Sequence, residues 1–242
     1  MTTQTYKTVP GHEVTDTMLE EAAKLFSENY GIWGEHSGKA GERVQLSARR
    51  LRQQYLPSAT DTVVSYYVIV TVDGYLAGNA FACRWKYDGM TVCWVTQLVV
   101  HKDYRENGLA TGLLTSLRKT TDDIYGIMSS NPAACLAAAK SFGTTIEKIS
   151  LDFIRKKAYG IMKSSPIPYI RDATLQGTIF QPEDTSGLVS GVNTSFFVDH
   201  EEPQKVLQAV RENWQWPLGD LPDGHEYLLV MQAKHRRPST YI

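Results

Sequence analysis

Three cysteines in 242 residues, Cys83, Cys93 and Cys135, are too few, too widely spaced and odd in number for a disulfide framework or a zinc pattern. No metal site is expected. No apolar run approaches the ~20 residues that a membrane helix needs. The opening "MTTQTYKTVPGHE" has no basic stretch followed by an apolar core, so neither a membrane span nor a secretory signal is expected. A net charge of −1 offers no excess of either sign to draw the chain to nucleic acid or to an anionic lipid surface. Internal repeats and low-complexity linkers are missing as well. These absences leave a cytoplasmic protein with reduced thiols, folded as a single domain over residues 1–242.

What is present is hydrophobic periodicity. "DTMLEEAAKLFSENYGIW" sets Met18, Leu19, Ala22, Ala23, Leu25 and Phe26 at helical spacing, and "QLSARRLRQQYL" predicts a second helix. Three strands follow, "TVVSYYVIVTV", "YLAGNAFACRWKY" and "MTVCWVTQLVV", separated by Asp73-Gly74 and Asp88-Gly89. Both pairs accept positive φ, so the three should form an antiparallel meander. "DIYGIMSS" reads as a short buried strand. In "NPAACLAAAKSFG", Asn131 is placed as N-cap, Pro132 as first helical residue and Gly143 as terminator. "EKISLDFIRKKAYGIM" reads as a strand running into a bent connection, and the prolines of "SSPIPYI" argue for extended chain. "NTSFFVDH" reads as a strand, "EEPQKVLQAVRENW" as a helix and "EYLLVMQAKHR" as a last strand.

Between the third strand and the next helix stands Arg105-Glu106-Asn107-Gly108-Leu109-Ala110. A helix N-terminus carries unpaired N–H groups and the positive end of the dipole, which together attract phosphate. Gly108 has no β-carbon, so a bulky anion can approach the backbone there. A plain strand-to-helix turn would look the same in these six residues. Two phosphate motifs are excluded: no Gly-Lys-Ser/Thr follows, and the G-x-G of a dinucleotide fingerprint is absent.

The meander, this "RENGLA" corner preceded by "QLVV", and the asparagine-capped helix after the next strand together resemble the GCN5-related N-acetyltransferase family. The resemblance covers about residues 66–143, leaving 144–242 as an elaborated C-terminal part. It implies an α+β fold with a mixed, mostly antiparallel central sheet flanked by helices. It also implies acetyl-coenzyme A as co-substrate. The main-chain N–H groups of Arg105, Glu106, Asn107, Gly108, Leu109 and Ala110, with the Thr111 hydroxyl, would hold the pyrophosphate. Leu98 and Val100 would face the pantetheine arm, the Leu98 N–H would donate to the thioester oxygen, and Asn131 would bond the pantetheine.

The implied reaction is direct attack of a small-molecule amine on the acetyl group. A protein or peptide acceptor, or a non-catalytic acyl-coenzyme A binder, is the alternative. The chain departs from the family where a tyrosine usually serves as acid: Ala138 stands there, with Ser129, Ser130 and Cys135 nearby and Ser130 closest to the strand end. Where relatives carry a glutamate on the central strand, this chain has Gln97. His36, beside Glu35 in a glycine-flanked loop, has the intrinsic pKa of a base. Ser130 and His36 are thus the candidate catalytic residues. Tyr30, Trp33, Trp85 and Tyr87 are candidates to line the acceptor pocket, and the proline-marked stretch 159–181 is expected to cover it. A homodimer sharing the C-terminal strand is compatible with such a fold.

Overall fold

Positive φ at Asp73 and Gly74, and again at Asp88 and Gly89, closes the two hairpins that the sequence signals. The structure is a computed structural model and describes residues 2–234. Its elements are β1 (Gln4–Pro10), α1 (Asp16–Asn29), α2 (Ala48–Tyr55), β2 (Val64–Val72), β3 (Tyr75–Tyr87), β4 (Met90–Val100) and α3 (Leu109–Leu117). There follow β5 (Ile124–Ser129), α4 (Pro132–Ser141), α5 (Leu151–Lys163), α6 (Pro168–Arg171), β6 (Thr174–Gln176), β7 (Gly191–Asn193), α7 (Glu201–Asn213) and β8 (His225–Gln232). The strands form one sheet in the order β1-β2-β3-β4-β5-β8-β7-β6. Neighbours run antiparallel except β4 and β5, which are parallel. The arrangement is α+β with a mixed, mostly antiparallel sheet.

Alternation along the strands sends side chains to two covers. Tyr67 and Phe81 pack under α1 and α2 with Leu19, Ala22 and Leu51. Val68, Val70 and Ala80 face the other way, toward Leu109 and Leu113 of α3. Caps fix the helix starts: the Thr15 hydroxyl accepts from the Met18 N–H at 3.2 Å, and Asn131 Oδ1 accepts from the Ala133 N–H at 2.9 Å. Asn131 and Pro132 thus hold the capping roles read from the sequence.

Four segments differ from expectation. β1 was not anticipated; it pairs with β2 from Gln4↔Val72 to Pro10↔Tyr66. The stretch expected as a strand before residue 163 is helix α5, capped by the Ser150 hydroxyl, which accepts from the Phe153 N–H at 3.2 Å. Ile154, Ala158 and Ile161 form its buried stripe. Gly160 lies within it, where the Tyr87 hydroxyl occupies the space a β-carbon would fill. Pro168 opens the short helix α6, being tolerated at a first helical position. "NTSFFVDH" is not a strand: β7 ends at its first residue, and φ of +53° at Ser195 breaks the ladder. The final strand is β8; His235 and Arg236, once counted in it, lie outside the described residues.

Candidate active site

The parallel pairing of β4 and β5 runs from Val92↔Ile124 to Val95↔Ile127 and then stops. Thr96 is an extra residue in β4, since Phe81 faces Gln97 while Ala82 faces Val95. Such a bulge bends its strand and sharpens the twist. From Thr96 to Val100, β4 is paired with β3 alone, and the last residues of β5 pair with β8 alone. The two strands part, leaving a V whose walls are main chain.

The direction of that main chain follows from one bond. The His101 N–H donates to the Ala77 oxygen at 2.8 Å, toward β3. Alternation along an antiparallel ladder then turns the N–H groups of Leu98 and Val100 away from β3, into the V. Two side chains agree with this: Tyr169 Oη donates to the Thr96 oxygen at 2.7 Å, and Arg105 Nε to the Val100 oxygen at 3.5 Å.

At the mouth of the V, Glu106 and Gly108 take φ of 64° and 75°. Successive turns of this kind point neighbouring amides to one side. Among the described residues, no main-chain N–H from Glu106 to Thr111 has a hydrogen-bond partner; the first helical amide to be engaged is that of Gly112, on the Gly108 oxygen at 3.0 Å. A β-carbon built on Gly108 meets nothing within 4 Å. The corner is therefore an open, electropositive concavity at the start of a nine-residue helix.

Arg105 plays a different part from the one expected. Its N–H already donates to the Lys102 oxygen at 3.4 Å. Its guanidinium is turned back to the Asn29 oxygen at 2.6 Å and to Glu202. It braces β4, α1 and α7, and the row of free amides begins one residue later. The carbonyl of the Asn131 side chain is engaged in capping α4, so its Nδ2 is the group left over.

On the α1/α2 face, Gln97 is only 6% exposed and lies within hydrogen-bonding reach of the Tyr55 hydroxyl, and the buried Thr96 hydroxyl lacks a partner. Tyr55 stands over Phe81, which pairs with Gln97, and meets Tyr169 edge-on at 5.8 Å. Tyr30, at the end of α1, stacks on Phe26 at 4.3 Å and is neighboured by the buried Ser130 hydroxyl. Glu226 of β8 lies on this side, because Tyr227, next in the strand, turns to Trp216 and the cavity between α4 and α7. Burial lifts the Glu226 carboxyl to about 7, against a smaller opposing effect of the Thr194 hydroxyl. Burial, and after it the Glu226 charge, raises Tyr55 to about 12 and holds Tyr30 well above its ordinary value.

The structure brings together Leu98, Val100, Ser130 and Asn131 at the V, and Glu106 to Thr111 at its mouth. It does not bring His36 there: that ring is exposed and bound to Asp223. Trp85 is buried with its Nε1 on the Ser164 hydroxyl at 2.9 Å, Tyr87 packs on α5, and Trp33 meets Phe196 edge-on at 5.1 Å. Cys135 and Ala138 are fully buried in α4, and burial pushes the Cys135 thiol up, keeping it neutral. Sequence reasoning missed Glu226, Tyr55 and Tyr169. A glutamate opening an apolar strand looks like any solvated strand end, and only the position of β8 beside β5 encloses it.

No family model matches the chain, and no curated protein matches it. Among solved structures it is similar to the ribosomal-protein-S18-alanine N-acetyltransferase of Escherichia coli. That match has 17% identity and a TM-score of 0.37, over 58% of this chain and 77% of that one. It is similar to an acetyltransferase of the GNAT family from Streptococcus pneumoniae, at 15% identity and a TM-score of 0.38, over 60% and 93%. It is also similar to an aminoglycoside acetyltransferase from an uncultured soil metagenomic sample. There the identity is 11% and the TM-score 0.31, over 47% of this chain and 66% of that one. None of these likenesses speaks to the substrate. The strand order, the bulged and parted β4, and the free amides of the β4–α3 corner form the α+β arrangement that the sequence resemblance to the GCN5-related N-acetyltransferase family implies.

Proposed function

We propose that the protein transfers an acetyl group from acetyl-coenzyme A to the amine of a small molecule. One observation carries this reading: the unpartnered run of amides from Glu106 to Thr111, set at the mouth of a V whose inner wall offers the N–H groups of Leu98 and Val100. In this reading the corner binds the pyrophosphate of the co-substrate, and the pantetheine lies along β4 as an added strand, with Asn131 Nδ2 within the V. The Leu98 N–H faces the thioester oxygen and stabilises the negative charge that grows there as the amine attacks. Such a donor requires no special side chain, which accounts for a working site with Gln97 on the central strand. Ser130, buried at the end of β5, is the nearest hydroxyl to hand a hydrogen bond toward the departing sulfur. Thiols leave unaided near their pKa of ~8.5, so this assistance is modest. Tyr169, supplied by the stretch 159–181, closes the acceptor side over Thr96 and favours a compact acceptor over an extended peptide.

Gly108→Glu tests the reading. The new side chain has open space, but it places a carboxylate in the concavity meant for a diphosphate, in a backbone conformation that costs a non-glycine residue about 1 kcal/mol. Acetyl-coenzyme A affinity measured by calorimetry should fall by more than about 100-fold, near 3 kcal/mol, while the circular dichroism spectrum stays unchanged. A variant that binds as tightly as the parent removes the corner from the site. Binding by the parent chain with no thiol release on any amine would leave a sensor of the co-substrate in place of an enzyme.

A further inference from the structure

The chain between β7 and β8 crosses the open end of the V. On the β4 side, the Gly34 N–H donates to the Phe197 oxygen and the Asp199 N–H to the Ile32 oxygen, both at 2.9 Å. Val198, between them, is buried in one cluster with Val99 of β4. On the β5 side, Pro203, Gln204 and Leu207 share a cavity of about 230 Å³ with Ser130 and Pro132, just past the end of β5. The first turn of α7 therefore reaches from one wall of the V to the other.

Within that turn stands Glu202, bound to the Arg105 guanidinium. The guanidinium lies in the V: its Nε donates to the Val100 oxygen at 3.5 Å, and the oxygen of a strand residue turns the same way as its N–H. The amides without partners begin at the very next residue, Glu106. Arg105 is thus the cation beside an anion-binding corner, and a carboxylate already holds it. Glu201, the other acid of the turn, is engaged by Lys205 at 2.5 Å. With side chains 34% and 53% exposed, the Arg105–Glu202 pair is of the weak, solvent-screened kind. The turn is lightly fastened besides, since His200 at the N-cap makes no side-chain cap bond. Further along, α7 is anchored by the buried Leu207 and Val210, and by Arg211, which bonds Asp220 at 2.7 Å.

We infer that the first turn of α7 is a strap held shut by Glu202, and that the diphosphate of the co-substrate opens it by taking Arg105 from that carboxylate. The inference rests on the acetyl-transfer reading and adds a regulation of that same site. A diphosphate carries more charge than one carboxylate and can engage both arms of the guanidinium fork. Once Arg105 turns to the ligand, Glu202 loses its partner and faces an anion of its own sign, so the turn moves off the V. One ion pair is exchanged for another, and no covalent bond changes. An empty site stays covered, and the ligand that fits the corner is the one that uncovers it.

Calorimetric titration of acetyl-coenzyme A into the full parent chain, Glu202→Gln, Arg105→Gln and the double variant tests the strap. Glu202→Gln should lower Kd by about two- to fivefold at low ionic strength, and the difference from the parent should shrink as salt is added. Arg105→Gln should raise Kd, and in that background Glu202→Gln should change it by less than about twofold. Equal tightening in both backgrounds would be plain charge repulsion and overturns the strap, as does unchanged or weaker binding by Glu202→Gln. Amide hydrogen exchange gives a second readout. At Glu202, Gln204 and Lys205 it should quicken by at least about tenfold when the parent is saturated with acetyl-coenzyme A. In Glu202→Gln it should be fast without ligand. Slower exchange there on binding would make the turn a clamp, which also overturns the inference. Absence of binding by both the parent and Glu202→Gln strikes the acetyl-transfer reading and this one with it; binding by the variant alone would be the strap at its tightest.

Discussion

Glu226 carries a consequence for stability. In the folded chain it holds its proton up to about pH 7, whereas an unfolded glutamate releases it near 4.5. Between those values the folded state binds more protons, so stability falls as pH rises and is fully reduced above 7. Glu226→Gln removes the desolvated charge. The variant should match the parent below pH 4.5 and exceed it at pH 8 by on the order of 1–3 kcal/mol, the partial exposure of Glu226 screening part of the effect. Urea unfolding at both pH values reads this directly, and parallel pH dependence in the two proteins would show that the carboxyl is not desolvated. The same scale shows why side-chain roles resist reading from sequence. Arg105 sits inside the corner motif, yet its guanidinium serves Asn29 and Glu202. His36 has the right intrinsic chemistry and stands exposed on Asp223.

Among the elements, the β3–α3–β5 junction is held by one buried ion pair. Arg84 Nε donates to Asp122 Oδ1 at 2.7 Å and its Nη2 to Oδ2 at 2.9 Å, with a further bond to the Leu117 oxygen; Asp122 is fully buried. A buried pair of this kind contributes little net stability, but losing one partner strands the other charge. Asp122→Ala should therefore cost about 3–5 kcal/mol in urea unfolding, and Arg84→Met combined with Asp122→Leu should recover most of it. A loss below about 1 kcal/mol would mean that water reaches Arg84. Close by, a β-carbon on Gly126 would overlap the Trp94 ring, so Gly126→Ala forces β4 and β5 apart where they are still paired. Elements with strong local signals were legible beforehand: the Asp-Gly hairpins, the Asn131-Pro132 helix start and the amphipathic α1. Helix α5 was misread because its aromatic and β-branched residues mimic a strand and Gly160 mimics a break. β1 was missed because only one of its seven residues, Val9, is buried.

For the whole molecule, a ligand that binds only the folded state raises stability by mass action. At 100 times its Kd, acetyl-coenzyme A should add about 2.7 kcal/mol. For a chain of this length that is a rise in Tm of roughly 5–11 °C, measured by differential scanning fluorimetry. Gly108→Glu should lose the whole shift. No shift in the parent at saturating concentration would contradict the corner's assignment.

The sequence by itself determined the meander, the glycine-opened corner and the helices around it, because turn residues, caps and hydrophobic periods act within a few positions of each other. Only the tertiary structure decided where β4 and β5 part and which way Leu98 turns its N–H. It alone set Glu226 of β8 next to the end of β5 and brought Tyr55 edge-on to Tyr169. Those groups meet through sheet order and helix packing, and the burial that lifts Glu226 exists only once all of them are in place.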